Sequence, residues 1–143
     1  MPARKLNIEI GDAAKIKWQR SPWPGVHYKF LQIGPGARNI IDLLKVEAGV
    51  ALRPHRHAVV QRSFLVAGKA KTSDGRVLNA GSWITIPAGA RHGHVAVEEV
   101  LWVDFFPGLL TWFMDDGKVY ILSADGRFND LGRLKRLGKR PII

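Results

Sequence analysis

The chain has 143 residues, 46% of them hydrophobic, enough for one domain that buries roughly two thirds of its unfolded surface without a covalent staple. It contains no Cys, which excludes disulfides and thiolate metal ligands and leaves His, carboxylate or amide as donors. The net charge of +10 is concentrated at the ends: basic against acidic residues number six to two in 1–36, ten to nine in 37–125 and six to one in 126–143. No aromatic residue interrupts Arg133 to Arg140, so the basic run lacks the stacking platform of a single-strand binder and reads as a solvated tail, with no nucleic acid expected.

Period-two alternation and turn signals dominate the chain, and helical periodicity is scarce. Strands are expected at Leu6 to Ile10, Val26 to Ile33, Asn39 to Val46, Val59 to Val66, Lys69 to Thr72, Trp83 to Ile86, His92 to Val97, Val100 to Phe106 and Lys118 to Ser123. Pro22, Pro24 and Gly25 break the chain before the second of these, and Gly34-Pro35-Gly36 before the third. Asp74-Gly75 and Asp116-Gly117 predict tight hairpins, and Glu98-Glu99 another reversal. From Asp130, Leu131, Leu134 and Leu137 recur every third residue and predict a short helical segment capped by Asn129 or Asp130 and ended by Gly138. No apolar stretch reaches signal-peptide or membrane-spanning length, so a soluble, cytoplasmic protein is expected. Many short strands without βαβ alternation predict an all-β sandwich or small barrel.

Four of the five histidines fall in two patches, His55-Arg-His57 and His92-Gly-His94. Residues two apart on a strand share a face, so each pair can look into one cavity, and Gln61 keeps the parity of the first. Pro54 extends Arg53 and helps to launch a strand carrying His55 and His57. Pro87-Ala-Gly89 makes a turn that delivers His92. Each imidazole alone reads more simply as a hydrogen-bonded histidine. As a set they point to a metal held by neutral nitrogen ligands with open positions, which is a catalytic rather than a structural arrangement. Gln61 reads equally as a ligand or as a group hydrogen-bonding a ligand or substrate. His94 reads as a general base, a partner to a ligand, a fourth ligand or an inert interior residue. Arg53, Arg56, Arg62 and Arg91 are expected on exposed strand faces. Trp102, Phe105, Phe106, Trp112 and Phe113 are expected to pack the barrel, one or two of them lining an apolar pocket.

The spacing of these residues resembles that of the cupin superfamily. Gly49, five residues, His55-Arg-His57, three residues, Gln61, six residues and Gly68 reproduce its first motif, with Gln where Glu is usual. Gly81, five residues, Pro87-Ala-Gly89, two residues and His92 reproduce the second, without its downstream Asn. The resemblance implies a double-stranded β-barrel (jelly roll) over 1–143, with the motifs in 49–96, a basic tail in 130–143 and a divalent metal on His55, His57 and His92.

Length, His92-Gly93 and the segment Phe105 to Lys118 make the chain similar to the small dioxygenases that cleave acetylacetone-type diketones and 2,4'-dihydroxyacetophenone. That likeness implies Fe(II), with zinc, nickel or manganese as alternatives. It also implies a small-molecule substrate and dioxygen, Gln61 and His94 beside the chemistry, and no membrane partner. Gln61 leaves the charge of a dication uncancelled, which favours an anionic chelating substrate such as a diketone enolate. The alternatives are a non-catalytic metal- or ligand-binding cupin module acting as a sensor or scaffold, and an oxygen-independent isomerase or hydrolase. A homodimer is the expected assembly, with Leu6 to Ile10 or Val26 to Ile33 covering a partner's sheet edge.

Overall fold

A computed structural model describes residues 6–133. Eleven strands make one curled antiparallel sheet: β1 (Gln19–Arg20), β2 (Val26–Gly34), β3 (Arg38–Val46), β4 (Ala51–Arg56), β5 (Gln61–Thr72), β6 (Val77–Asn79), β7 (Trp83–Ile86), β8 (His92–Phe106), β9 (Thr111–Met114), β10 (Lys118–Leu122) and β11 (Phe128–Arg133). The order β1-β2-β3-β8-β4-β9-β10-β11 is continued by β5, which pairs with β8 and carries β6 and β7. This is the cupin-type jelly roll that the motif spacing implied.

Alternation explains how the sheet closes on a core. Ile40, Asp42, Leu44 and Val46 of β3 are buried and lie opposite Phe106, Asp104, Trp102 and Val100 of β8, all buried as well. Aromatic rings close one side of this interior: Trp112 lies 4.8 Å from Phe128 and 6.1 Å from Tyr28, centroid to centroid, with Trp23 against Tyr120. Such packing contributes beyond the area it buries.

Five expectations are corrected. Glu98-Glu99 makes no reversal, because β8 runs unbroken through it, passing from β4 to β3 on one side while β5 stays on the other. The irregularity lies in β5 instead, whose register against β8 shifts between Leu65 and Ala70. Gly68 makes that shift possible: at φ 91° a Cβ there would stand 2.0 Å from the Glu99 carbonyl oxygen. The same bulge joins Val59 to Val66 and Lys69 to Thr72 into one strand that begins at Gln61.

Leu6 to Ile10 has the alternation of a strand, but its residues are exposed and unpaired. Asn129 to Arg133 belongs to β11, paired with β10, and does not start a helix. Pairing satisfies backbone groups that a single helical turn would leave open. The remainder of that predicted segment, Leu134 to Gly138, lies outside the described residues. Phe105 is 36% exposed and Phe113 only half-buried, whereas Trp102, Phe106 and Trp112 are in the core. The two Asp-Gly hairpins and both Pro/Gly breaks form where expected.

Candidate metal centre

His55 sits near the end of β4 directly opposite His92 at the start of β8. Gly93 lets the strands approach, since a Cβ there would meet the Leu52 carbonyl oxygen at 2.6 Å and Pro54 at 3.1 Å. Pro54 therefore lies inside β4, where the register against β8 shifts between Leu52 and His55. His57 lies one residue beyond the strand, held where its own carbonyl accepts from Gly89 N at 2.8 Å. That bond ties the His-x-His segment to the Pro87-Ala-Gly89 turn, and so brings His92 to the other two rings.

The three rings converge, with centroids 4.3 to 5.1 Å apart, and one ring nitrogen of each lies within 4.8 Å of the others. Their tautomers follow from their partners. Nδ1 of His55 faces the Arg53 carbonyl oxygen at 2.6 Å, that of His57 the Thr111 carbonyl oxygen, and that of His92 the Ala90 carbonyl oxygen at 3.4 Å. A carbonyl accepts, so each Nδ1 carries the proton and each Nε2 presents a lone pair. Nε2 of His55 and Nε2 of His57 are then 3.0 Å apart with no proton between them, and Nε2 of His92 is buried without any partner. Lone pairs forced together in a dry interior call for a cation, and one bonded to each nitrogen at about 2.0–2.1 Å spans the gap. The donor set fits a divalent metal.

Burial also keeps these groups ready to bind. Desolvation lowers the His55 pKa to about 4 and that of His92 to about 3, and it holds His57 well below the usual imidazole value. All three are neutral at pH 7, the form that ligates. Trp23 stacks on His55 with an interplanar angle of 11°, and Phe106 meets His57 edge-on.

His94 lies outside the group of three, and Gln61 stands beside His57. Gln61 is buried; its Nε2 donates to Ser63 Oγ at 2.9 Å and to Asp104 Oδ1 at 3.4 Å, and its Oε1 has no partner. Its amide favours a protonated His57 and so raises that imidazole's pKa against the larger effect of burial. His94 Nε2 accepts from Trp102 Nε1 at 3.3 Å, and burial lowers its pKa to about 4. Its ring borders a cavity of about 510 Å³ that His92, Leu78, Ile84 and Trp102 also line, within the range of small-molecule sites. Arg53, Arg62 and Arg91 are exposed and Arg56 is half-buried. Arg91 forks onto Asp115 with bonds of 2.7 to 3.1 Å.

Sequence reasoning missed the group behind Gln61. Asp42 and Asp104 face each other across β3 and β8 at 0% and 1% exposure. Ser63 Oγ donates to Asp104 Oδ1 at 2.5 Å, while both Asp42 oxygens lack partners. Burial raises both pKa values, Asp42 well above the carboxylate range. Two facing carboxylates do not both ionise in a dry interior, and the donors from Ser63 and Gln61 favour the charge on Asp104. The available signal was an acid at an inward position of an apolar strand, as in Ile40-Ile-Asp-Leu-Leu44.

A curled antiparallel sheet with three converging histidines at the start of β8 defines a cupin-type protein with a candidate metal centre. Residues 8–107 match the ChrR Cupin-like domain model, and the chain belongs to that family. Among solved structures it is similar to a proposed acetylacetone dioxygenase from Methylibium petroleiphilum, at 23% identity and TM-score 0.68 over 82% of this chain and 88% of that one. An acetylacetone dioxygenase from Acinetobacter johnsonii is similar at 18% identity and TM-score 0.59, over 92% and 88%. A chain in the Rhodobacter sphaeroides complex of SigE with the anti-sigma ChrR is similar at 20% and TM-score 0.55, over 66% of this chain and 51% of that one. These likenesses show the fold. No curated protein matches the chain. Among the described residues no helix is long and apolar enough to cross a membrane.

Proposed function

We propose that the protein is a metal-dependent dioxygenase that cleaves a carbon–carbon bond of a small diketone or hydroxyketone at His55, His57 and His92. The observation that carries this reading is the donor set: three imidazoles with protonated Nδ1 and free Nε2, and no carboxylate among them. Fe(II) held there would supply Lewis acidity and redox chemistry with dioxygen. Because the three ligands are neutral, an anionic chelate is the favoured guest. In the cavity beside His92 and His94, Leu78, Ile84, Ile86 and Trp102 offer an apolar surface to the carbon skeleton. His94, neutral at pH 7, offers a ring nitrogen to a substrate oxygen. The structural likeness to acetylacetone dioxygenases supports the substrate class.

Elemental analysis of the purified protein, then anaerobic iron loading and oxygen uptake against a panel of diketones and hydroxyketones, tests the proposal. Iron-dependent uptake that is lost in His57→Ala is expected; unchanged turnover by that variant overturns it. A second reading, a non-catalytic metal-binding sensor module, is supported by the family match and by the likeness to a chain of the SigE–ChrR complex. Under that reading the protein retains zinc, gains no oxygen uptake with iron, and binds an anionic partner through its basic segment at 133–140. Turnover without oxygen consumption would instead point to an isomerase or hydrolase on the same barrel.

A further inference from the structure

His94 differs from the three converging histidines in the partner that holds it. Nδ1 of each of those rings faces a backbone carbonyl oxygen, which accepts, whereas Nε2 of His94 faces the indole N–H of Trp102, which donates, at 3.3 Å. A nitrogen that accepts keeps its lone pair, so the His94 proton sits on Nδ1. All four rings therefore share one tautomer with opposite atoms left over: the three present Nε2 lone pairs, and His94 presents Nδ1–H. Trp102 is itself fixed, 2% exposed and paired in register with Leu44 of β3 and Leu65 of β5.

β8 carries the ring between Leu52 of β4 and Thr72 of β5 and onto the cavity of about 510 Å³ that His92 also lines. Among the described residues its Nδ1 has no hydrogen-bond partner. The charged groups around that cavity are taken up by one another. Arg76 is paired with Asp74 at 2.9 Å and Arg91 with Asp115 at 2.7 Å, and the Thr72 hydroxyl donates to Asp74. Ser73 and Thr85 are exposed. Away from them the lining is apolar, and the one N–H of Trp102 is spent on His94.

We propose that Trp102 is a positioning residue that makes His94 a hydrogen-bond donor rather than a base or a fourth ligand, and that His94 Nδ1–H selects the guest by a ketone or enolate oxygen. The nitrogen that faces the cavity already carries a proton, so it neither takes one from the guest nor binds a metal. It stabilises an oxygen on which negative charge gathers. A guest with an additional carboxylate or phosphate is disfavoured, because both lining arginines are already paired. The guest class rests on the diketone or hydroxyketone reading above; the tautomer rests on the Trp102 contact alone.

Nitrogen NMR of the histidine rings in the full, zinc-loaded chain tests this, since zinc is diamagnetic and leaves each ring readable. The His94 signals, assigned by their loss in His94→Leu, show the proton on Nδ1; a proton on Nε2 in the native chain overturns the proposal. Trp102→Phe keeps a ring and removes the N–H, so the other His94 tautomer appears while zinc content per chain stays native. An unchanged His94 spectrum in that variant overturns the positioning role. Calorimetry with acetylacetonate on the zinc form reads the donor: His94→Leu weakens binding by about 10-fold or more, whereas His94→Asn, whose amide N–H stands near the place of Nδ1, keeps most of it. Native affinity in His94→Leu overturns the donor role. Absence of oxygen uptake by the iron-loaded chain overturns the dioxygenase reading and leaves these zinc results as they are.

Discussion

Gln61→Glu places the carboxylate usual in this motif against the buried acid pair, and its effect can be worked from the structure. The Gln61 amide nitrogen is 3.4 Å from Asp104 Oδ1. A charged carboxylate oxygen at that distance would repel Asp104 by about 5 kcal/mol at an effective dielectric of about 20. Taking up a proton at pH 7 costs less, about 3.7 kcal/mol for a group with an ordinary pKa of about 4.3, so the variant folds with the introduced glutamate protonated. The folded-state pKa of that glutamate is raised; the variant's stability therefore matches the native level below about pH 4.3 and is lost as the pH rises toward the folded value. The deficit is about 1 kcal/mol at pH 5 and nearly 4 at pH 7, a slope of about 1.4 kcal/mol per pH unit. Urea unfolding of the metal-free proteins at both pH values measures it as a difference between variant and native chain, which removes the histidine contribution common to both. A bound dication stabilises the ionised glutamate, so metal shrinks the deficit at pH 7. An equal difference at pH 5 and pH 7 would refute both the contact with Asp104 and the charge assigned to it.

Replacing His57 by Ala removes one of three Nε2 donors, and metal affinity measured by competition with a chelating dye falls by more than about 100-fold, beyond the effect of losing an outer partner. The metal-free protein loses stability as pH falls below about 6.5. Imidazoles protonate there in the unfolded chain, whereas in the folded chain His55 and His94 wait until about 4 and His92 until about 3; the expected loss by pH 4.5 is several kcal/mol in urea unfolding. The same depressed values mean that protons compete weakly for the site, and metal release followed by dye capture has its midpoint below pH 6. Gly68→Ala puts a Cβ 2.0 Å from the Glu99 carbonyl oxygen at a positive φ, and thermal unfolding registers a loss of more than about 2 kcal/mol.

The parts of the fold legible in the sequence are those where local chemistry dictates the outcome. Asp74-Gly75 and Asp116-Gly117 turn because Gly75 and Gly117 accept φ of 85° and 88°, and His55 meets His92 because glycine and proline fix the loops that carry them. What escaped the sequence depends on neighbours. Glu98-Glu99 looks like a turn only until β5 lies along the whole of β8, and Gly68, which admits that bulge, is read in the sequence as motif punctuation. Leu6 to Ile10 alternates like a strand, yet alternation supplies no partner. Phe105 reads as a core residue because an apolar residue in an apolar run carries no sign of which face will be covered, and the register of β8 turns it outward. Asp42 and Asp104 are single acids 62 positions apart; only the pairing of β3 with β8 makes them one group.

That group bears on how the site balances charge. Three neutral imidazoles leave a dication uncompensated, and the glutamate usual at position 61 is a glutamine here. The charge is displaced rather than absent: Asp104 carries it one residue further from His57, behind an amide whose nitrogen it engages. Held this way, the amide keeps its oxygen free of hydrogen-bond partners and favours positive charge at His57. A carboxylate on the ion would occupy a coordination position and weaken its pull on an anionic guest. A carboxylate behind Gln61 does neither, while its field still lowers the cost of a cation in a dry interior. The buried acid pair is costly for the fold by itself, since burial and the neighbouring Asp104 push the Asp42 pKa well above the carboxylate range. Its position behind Gln61 accounts for that cost physically: it leaves the three-histidine face open and neutral.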